Sequence, residues 1–239
     1  MPGGRSVAER LNASDLWDAE YSNPIIPGSN RRRPSHALMF FEDLLNLKSV
    51  RSALDVGCGN GRNSVYLASF GATVEAIDFS SVALNAAKSL ATERDLGEKI
   101  HLRRGNLNDD FPFDSNSFDL CLDMYVFCHF TDENSKQHYV NELFRVTKPG
   151  GHVISALFTP RDEYYSLMRA NNGTSNIVKD PMNGITKELY EEMTFRKWYS
   201  PPFEVRYSTE LDFTDKVLGK NYQRRILTMA LQKTETQPA

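Results

Sequence analysis

The 239-residue chain is poor in cysteine and tryptophan, has no long apolar run and carries almost no excess of charge. Its three cysteines, Cys58, Cys121 and Cys128, form no CxxC pair and are too few for a disulfide framework, so buried reduced thiols are expected. No fully apolar run exceeds five residues, against about 20 for a bilayer-spanning helix. The start, Met1-Pro-Gly-Gly-Arg-Ser, lacks the apolar stretch of a secretory signal, and Pro2 stands where N-myristoylation needs glycine. A cytoplasmic protein without a membrane anchor is expected, in which the sequons at Asn12 and Asn172 carry no meaning. The 28 basic and 31 acidic side chains leave a net charge of −3, without the basic excess of a nucleic-acid binder. His36, His101, His138 and His152 have no ligand spacing, so no metal site is expected.

What is present is an ordinary globular composition, 40% hydrophobic and 25% charged, arranged as short apolar runs alternating with helical patterns. Residues 53–56, 73–77, 100–103, 118–122 and 152–158 read as strands. Between them 62–70, 81–94 and 133–147 read as helices, the second with Val82, Ala86 and Leu90 on one face. That alternation predicts an α/β fold whose mostly parallel sheet is covered by helices on both faces. Ahead of it, 14–21 reads as a short helix N-capped by Ser14, and 36–47 as an amphipathic helix. After Thr159 the alternation fails: 162–170 and 185–193 look helical and 171–176 looks like a loop. Residues 203–207 and 225–231 look like two strands joined without a helix, an antiparallel edge on the sheet, with Ile226, Thr228 and Ala230 on one side. The expected division is a cap at 1–48 and a main domain at 49–239 with a substrate-side insertion around 159–222.

The most telling stretch is Leu54-Asp-Val-Gly57-Cys-Gly59-Asn-Gly61, where a strand runs into three alternate glycines and a helix begins. Glycine permits the tight turn and the close approach of a ligand, and the helix start turns free N–H groups toward the crevice where open α/β sheets bind. Asp78 closes the next strand, 23 positions after Asp55, where a carboxylate can accept both hydroxyls of a ribose. A nucleoside-containing ligand is therefore expected. Arg62 stands where GxGxxG needs its last glycine, and no Gly-Lys-Ser/Thr tripeptide occurs, so neither the dinucleotide fingerprint nor a Walker A loop is present. A carboxylate beside the glycines, Asp55, would repel a pyrophosphate but suits a ligand carrying an ammonium and a sulfonium, as S-adenosylmethionine (SAM) does.

On these residues the chain resembles the class I SAM-dependent methyltransferases over about residues 54–158. Leu54 to Gly61 matches their first motif and Asp78, followed by Phe79 and Ser80, their ribose-binding acid. Gly105-Asn106-Leu107 matches their third-strand region, with Asn106 in place of the common Asp; Phe118 to Asp123 and Val146 to Gly151 match the fourth strand and the lead-in to the fifth. Within that class, Gly61-Arg-Asn-Ser-Val-Tyr-Leu-Ala68 followed by Gly71 is similar to the tellurite-resistance and thiopurine-type small-molecule enzymes. The resemblance implies a Rossmann-like seven-stranded sheet with an antiparallel edge strand and an N-terminal helical cap closing over the cofactor. It implies SAM held by Asp55, Gly57, Cys58, Gly59, Gly61, Asn63, Asp78, Phe79, Ser80, Asn106, Leu107 and Asp123. It further implies methyl transfer to an N, O, S or metalloid nucleophile of a small molecule, leaving S-adenosylhomocysteine, by a monomer or homodimer. A tRNA or protein methyltransferase and a SAM-binding subunit without catalysis are the alternatives.

Asp123, Tyr125 and His129 end or follow the fourth strand and are the candidates for the chemistry. Trp17, Tyr21, Tyr164 and Tyr165 are candidate aromatic walls for a planar or cationic substrate. Arg31-Arg32-Arg33 reads as a solvated loop.

Overall fold

The structure, a computed structural model, describes residues 13–171 and 175–234; the chain start, Asn12 and the sequon at 172–174 lie outside the described residues. In chain order the elements are α1 (Ala13–Ser22), α2 (Pro27–Asn30), α3 (His36–Phe40), β1 (Ser52–Val56), α4 (Arg62–Ser69), β2 (Thr73–Asp78), α5 (Ser81–Glu93), β3 (Ile100–Arg104) and β4 (Phe118–Met124). There follow α6 (Glu133–Val146), β5 (Thr147–Phe158), α7 (Glu163–Asn171), β6 (Ile177–Lys179), β7 (Thr186–Glu188), α8 (Glu192–Tyr199), β8 (Phe203–Val217) and β9 (Lys220–Lys233).

Seven strands form one sheet in the order β3-β2-β1-β4-β5-β9-β8, and β6 pairs with β7 in a small ribbon. The first five are parallel, while β9 runs antiparallel to both β5 and β8. The antiparallel strand therefore lies one place in from the edge, with β8 outside it. Leu218 and Gly219 join the two with φ of 48° and 83°. Two left-handed residues match the right-handed twist of a hairpin, the conformation of a two-residue turn. Both strands are longer than expected, so residues 203–217 and 220–222 of the anticipated insertion are sheet, and the part lying outside it runs over 159–202.

Strand parity divides the interior. Leu120 and Leu122 of β4 join a core with Ala37 and Leu38 of α3 and Leu67 of α4, whereas Cys121 joins a core with Tyr139 of α6 and Phe195 of α8. A third, smaller core under the insertion holds Tyr164, Tyr165, Val178, Leu189 and Val217.

Local expectations are corrected at several points. The helix expected over 36–47 is α3 alone, capped by the Ser35 hydroxyl, which accepts from Leu38 N–H, and it gives way to turns after Phe40. Ser14 lies inside α1 rather than ahead of it as a cap. The helix expected over 185–193 is β7 followed by the start of α8; Ile185, Lys187 and Leu189 are buried at alternate positions, the period of a strand. The buried face of α5 is Ala83, Ala87, Leu90 and Ala91, because the cap falls at Ser80 and sets that register.

The N-terminal segment is tied down by buried polar groups. Asp18 Oδ1 accepts from Ser80 Oγ at 2.5 Å, and Glu20 Oε1 accepts from the N–H of Ile25 and Ile26 at 2.8 and 2.7 Å. Glu20 Oε2 accepts from Asn183 Nδ2 at 2.9 Å, joining the N-terminal segment to the insertion. Asn60 Nδ2, inside the glycine bend, donates to the carbonyls of Ser29 and Arg31 at 3.2 and 2.8 Å. Among the described residues no helix is long and apolar enough to cross a membrane.

Candidate functional site

A cavity of about 520 Å³ opens where β1 and β2 end, between the glycine bend, the N-terminal helices and the β8–β9 hairpin. That volume lies within the range of about 300–1,000 Å³ usual for small-molecule sites. Gly57, Gly59 and Gly61 have φ of 61°, 56° and 75°, a left-handed run that side-chain-bearing residues rarely adopt. A Cβ at Gly57 would come within 2.5 Å of Val126 Cγ2, and one at Gly59 within 2.2 Å of the Tyr21 hydroxyl. The bend is thus closely packed by the loop after β4 on one side and by the N-terminal helix on the other. Gly61 does not line the cavity; a Cβ there would meet Ala87 of α5 at 2.8 Å, so this glycine serves the packing of helix on helix.

Asp78 is buried and lines the cavity. Its Oδ2 accepts from Gly59 N–H and its Oδ1 from Ser80 N–H, each at 2.9 Å. Burial pushes its pKa up, against those backbone donors. Each oxygen keeps a lone pair for a hydroxyl donor. Ser80 itself stands behind the wall, capping α5 and anchoring Asp18. Cys58, Asn63, Phe79, Asn106 and Leu107 also line the cavity. Asn63 spends its Oδ1 on Ser35 N–H at 2.9 Å, and burial raises the Cys58 thiol pKa well above its usual range, which keeps it protonated.

Two carboxylates lie elsewhere than expected. Asp55 shares the strand face of Ala53, toward α4, where its Oδ2 accepts from Ser64 Oγ at 2.5 Å; it is absent from the cavity wall. Burial pushes its pKa up to about 7. Asp123 shares the face of Cys121, toward α6 and α8. Its Oδ1 accepts from the N–H of Val126 and Phe127 at 3.2 and 3.0 Å, and its Oδ2 from Ser155 Oγ and Tyr199 Oη at 2.5 and 2.7 Å. With no solvent exposure and four donors already on it, Asp123 fastens the loop after β4 to β5 and α8 and does not reach the cavity.

Tyr125 and His129 do line the cavity. Tyr125, at φ 68°, stacks on Phe158 with centroids 4.9 Å apart. His129 Nδ1 lies 2.8 Å from the Thr186 carbonyl, which can only accept, so Nδ1 carries the hydrogen and Nε2 is the ring's acceptor. Burial, with Lys187 nearby, pushes its pKa down to about 3. Trp17 and Tyr21 line the cavity, Trp17 edge-on to His129 at 5.1 Å. Tyr164 and Tyr165 stand behind it, their hydroxyls bonded to Asp180 Oδ2 and Lys187 Nζ.

Residues 54–155 match the family described as "Methyltransferase domain". A probable tocopherol O-methyltransferase, chloroplastic, of Oryza sativa subsp. japonica is 30% identical over 169 residues, 70% of this chain and 43% of that protein. Over the matched residues the chain is similar to a methyltransferase domain. The chain spans less than half of that relative's length. The fold is shared with a SAM-dependent methyltransferase from Methanosarcina mazei, at a TM-score of 0.69 and 22% identity over 81% of this chain and 98% of that one. It is shared also with the structure titled "Conversion of a Disulfide Bond into a Thioacetal Group during Echinomycin Biosynthesis", at 0.74 and 18%, covering 94% of each chain.

The far wall of the cavity comes from residues for which the sequence predicted no part in a site; Arg31, expected in a solvated loop, is one of them. Arg31 and His36 enter from the N-terminal segment, Lys187 from β7, and Phe213, Asp215 and Arg224 from the hairpin. His36 stacks on Phe213 at 4.2 Å, and burial together with Arg31 lowers its pKa. One signal was available: Arg224 falls on the same side of β9 as Ile226, Thr228 and Ala230, and Lys187 lies between Ile185 and Leu189 on an apolar face. A cation at an inward position of a period-two pattern points to a polar purpose for that wall.

Proposed function

We propose that the chain is a SAM-dependent methyltransferase of a small molecule, with SAM lying along the glycine bend and the acceptor against the far wall. The observation that carries this is Asp78, buried at the cavity wall with its carboxylate fixed by two backbone N–H groups beside three left-handed glycines. The lining fits the cofactor: a carboxylate for ribose hydroxyls, and Phe79 and Leu107 as apolar surface, while Asn106 Oδ1 is already taken by the backbone N–H and Nδ2 of Asn108. SAM, when bound, supplies a methyl group activated on a sulfonium.

The remaining work is positioning and exclusion of water. Tyr125 and Phe158 offer a stacked aromatic surface, and the N-terminal helices cover the cavity with Trp17 and Tyr21. His129 stays neutral at pH 7 and can accept a hydrogen bond from an acceptor's O–H or N–H through Nε2. A base this weak orients the nucleophile and does not store its proton. Asp123 has no part in the transfer on this reading. The three cysteines are buried and reduced, which suits a cytoplasmic setting. The relative named for tocopherol supports the choice of a small acceptor.

The test is incubation with methyl-labelled SAM and a panel of small phenols, thiols, amines and carboxylic acids, read by mass spectrometry. The expected result is a mass gain of one methyl on at least one class. Label appearing solely in RNA or protein of a cell extract would contradict it, as would tight SAM binding without transfer to any acceptor.

A further inference from the structure

At the far wall of the cavity two buried cations keep hydrogen-bonding capacity that the described residues leave unmet. Arg224 is 2% exposed and lines the cavity. Its Nε donates to Asp162 Oδ2 at 2.8 Å and its Nη1 lies 3.8 Å from Asp215 Oδ2, but its Nη2 is buried with no hydrogen-bond partner among the described residues. A buried guanidinium donor left unmade costs about 1–3 kcal/mol or more. Lys187 is also 2% exposed and lines the same cavity. Among the described residues no carboxylate lies within ion-pair distance of it; its ammonium donates to the Tyr165 hydroxyl at 2.5 Å and sits over that ring at 4.2 Å. Lysine is almost never fully buried unless paired.

The two belong to one place. Both lie against the Phe158 ring, Lys187 Nζ at 5.5 Å and Arg224 Cζ at 4.6 Å from its centroid, and both against Tyr165, at 4.2 and 5.2 Å. Phe158 in turn stacks on Tyr125. Within ion-pair distance, Arg224, Lys187 and Arg31 answer to only Asp162 and Asp215, Arg31 being bonded to Asp215. Lys187 thus has no carboxylate of its own beside Arg224, whose Nη2 is unmet.

We infer that the methyl acceptor is an organic monocarboxylate, its carboxylate received by Arg224 Nη2 and Lys187 Nζ and its body resting on Phe158 and Tyr125. A planar two-oxygen anion can take one N–H from the guanidinium and one from the ammonium. This deepens the transferase reading and rests on it.

The experiment uses the full chain, saturated with S-adenosylhomocysteine, and follows thermal shifts and calorimetric titration with matched probes. These are benzoate, 4-hydroxybenzoate and 3-phenylpropionate, each beside its primary amide. The carboxylates are expected to bind at least about ten-fold more tightly than the amides, the weight of a charge-assisted hydrogen bond. Lys187→Met is expected to erase that preference, and Arg224→Lys, which keeps the charge facing Asp162, to weaken it about ten-fold, both with SAM affinity within two-fold of the parent. Amides binding as well as carboxylates would overturn the inference whatever the protein does with SAM. So would a loss of SAM affinity in both variants, which would assign the cations to the cofactor's own carboxylate. Absence of SAM binding by the unaltered protein is a separate result and sinks the transferase reading, on which this inference depends.

Discussion

Replacing Tyr199 by Phe separates two roles for Asp123 that its position at the end of β4 leaves in competition. The Tyr199 hydroxyl donates to Asp123 Oδ2 at 2.7 Å in an interior with no solvent exposure. Removing it leaves the carboxyl with Ser155 Oγ and two backbone N–H groups. Burial pushes the Asp123 pKa up, and a buried polar group that loses a partner costs about 1–3 kcal/mol, none of it recovered from water at this depth. In a chain of this length each kcal/mol moves the melting temperature by about 2–4 °C, so Tyr199→Phe should melt about 2–12 °C lower by scanning calorimetry. SAM affinity and kcat should hold within two-fold at a temperature where the variant is folded. A variant that melts like the parent but turns over more than ten-fold slower would refute the reasoning, because it would place Asp123 on the reacting groups.

Three other expectations test separate parts of the site. Asp55 holds its proton in the fold up to about pH 7 against an ordinary value of 3.8, so the stability it contributes is full below about pH 4 and is lost as the pH rises through 7. Asp55→Asn, which still accepts from Ser64, should therefore melt with the parent at pH 4 and progressively above it toward pH 8; a difference that does not change with pH would count against burial as the cause. Gly59→Ala must hold φ near 56° and meet the Tyr21 hydroxyl. It should lose about 1–2 kcal/mol of stability in urea for the backbone alone, with any further loss recovered by adding Tyr21→Phe; full stability in the single variant would contradict the packing described. Because His129 stays neutral, kcat/KM should show no step near pH 6.5 that His129→Gln removes, and such a step would mean the ring titrates in catalysis.

The parallel half of the fold was legible because β1 and β2 end in unambiguous turn signals. Val56 runs into glycines and Asp78 into the Ser80 cap, whereas Pro149-Gly150-Gly151, expected as a stop ahead of a strand at 152, lies inside β5. The positions of Asp55 and Asp123 were not, because carboxylates near strand ends look alike until parity is counted: Asp55 follows Ala53 onto the α4 face and Asp123 follows Cys121 onto the α6 face. Asp78, the last residue of its strand, lines the cavity where the strand ends. The acceptor end was hidden for another reason. Phe213, Asp215 and Arg224 come from a hairpin whose turn, Leu218-Gly219, carries a leucine at a position usually marked by Asn or Asp. Lys187 sat in a stretch whose period of two was overridden by helix-forming residues on either side. Tertiary packing decided that ribbon, since Val178 and Leu189 bury their side chains with Tyr164 and Tyr165.

Isothermal titration of SAM into the full chain, beside Asp78→Ala, reaches the centre of the account. One cofactor should bind per chain, and the variant should bind about 1–3 kcal/mol more weakly, a factor of about 5–150 in Kd. No heat from the unaltered protein, or equal affinity in the two, would contradict it.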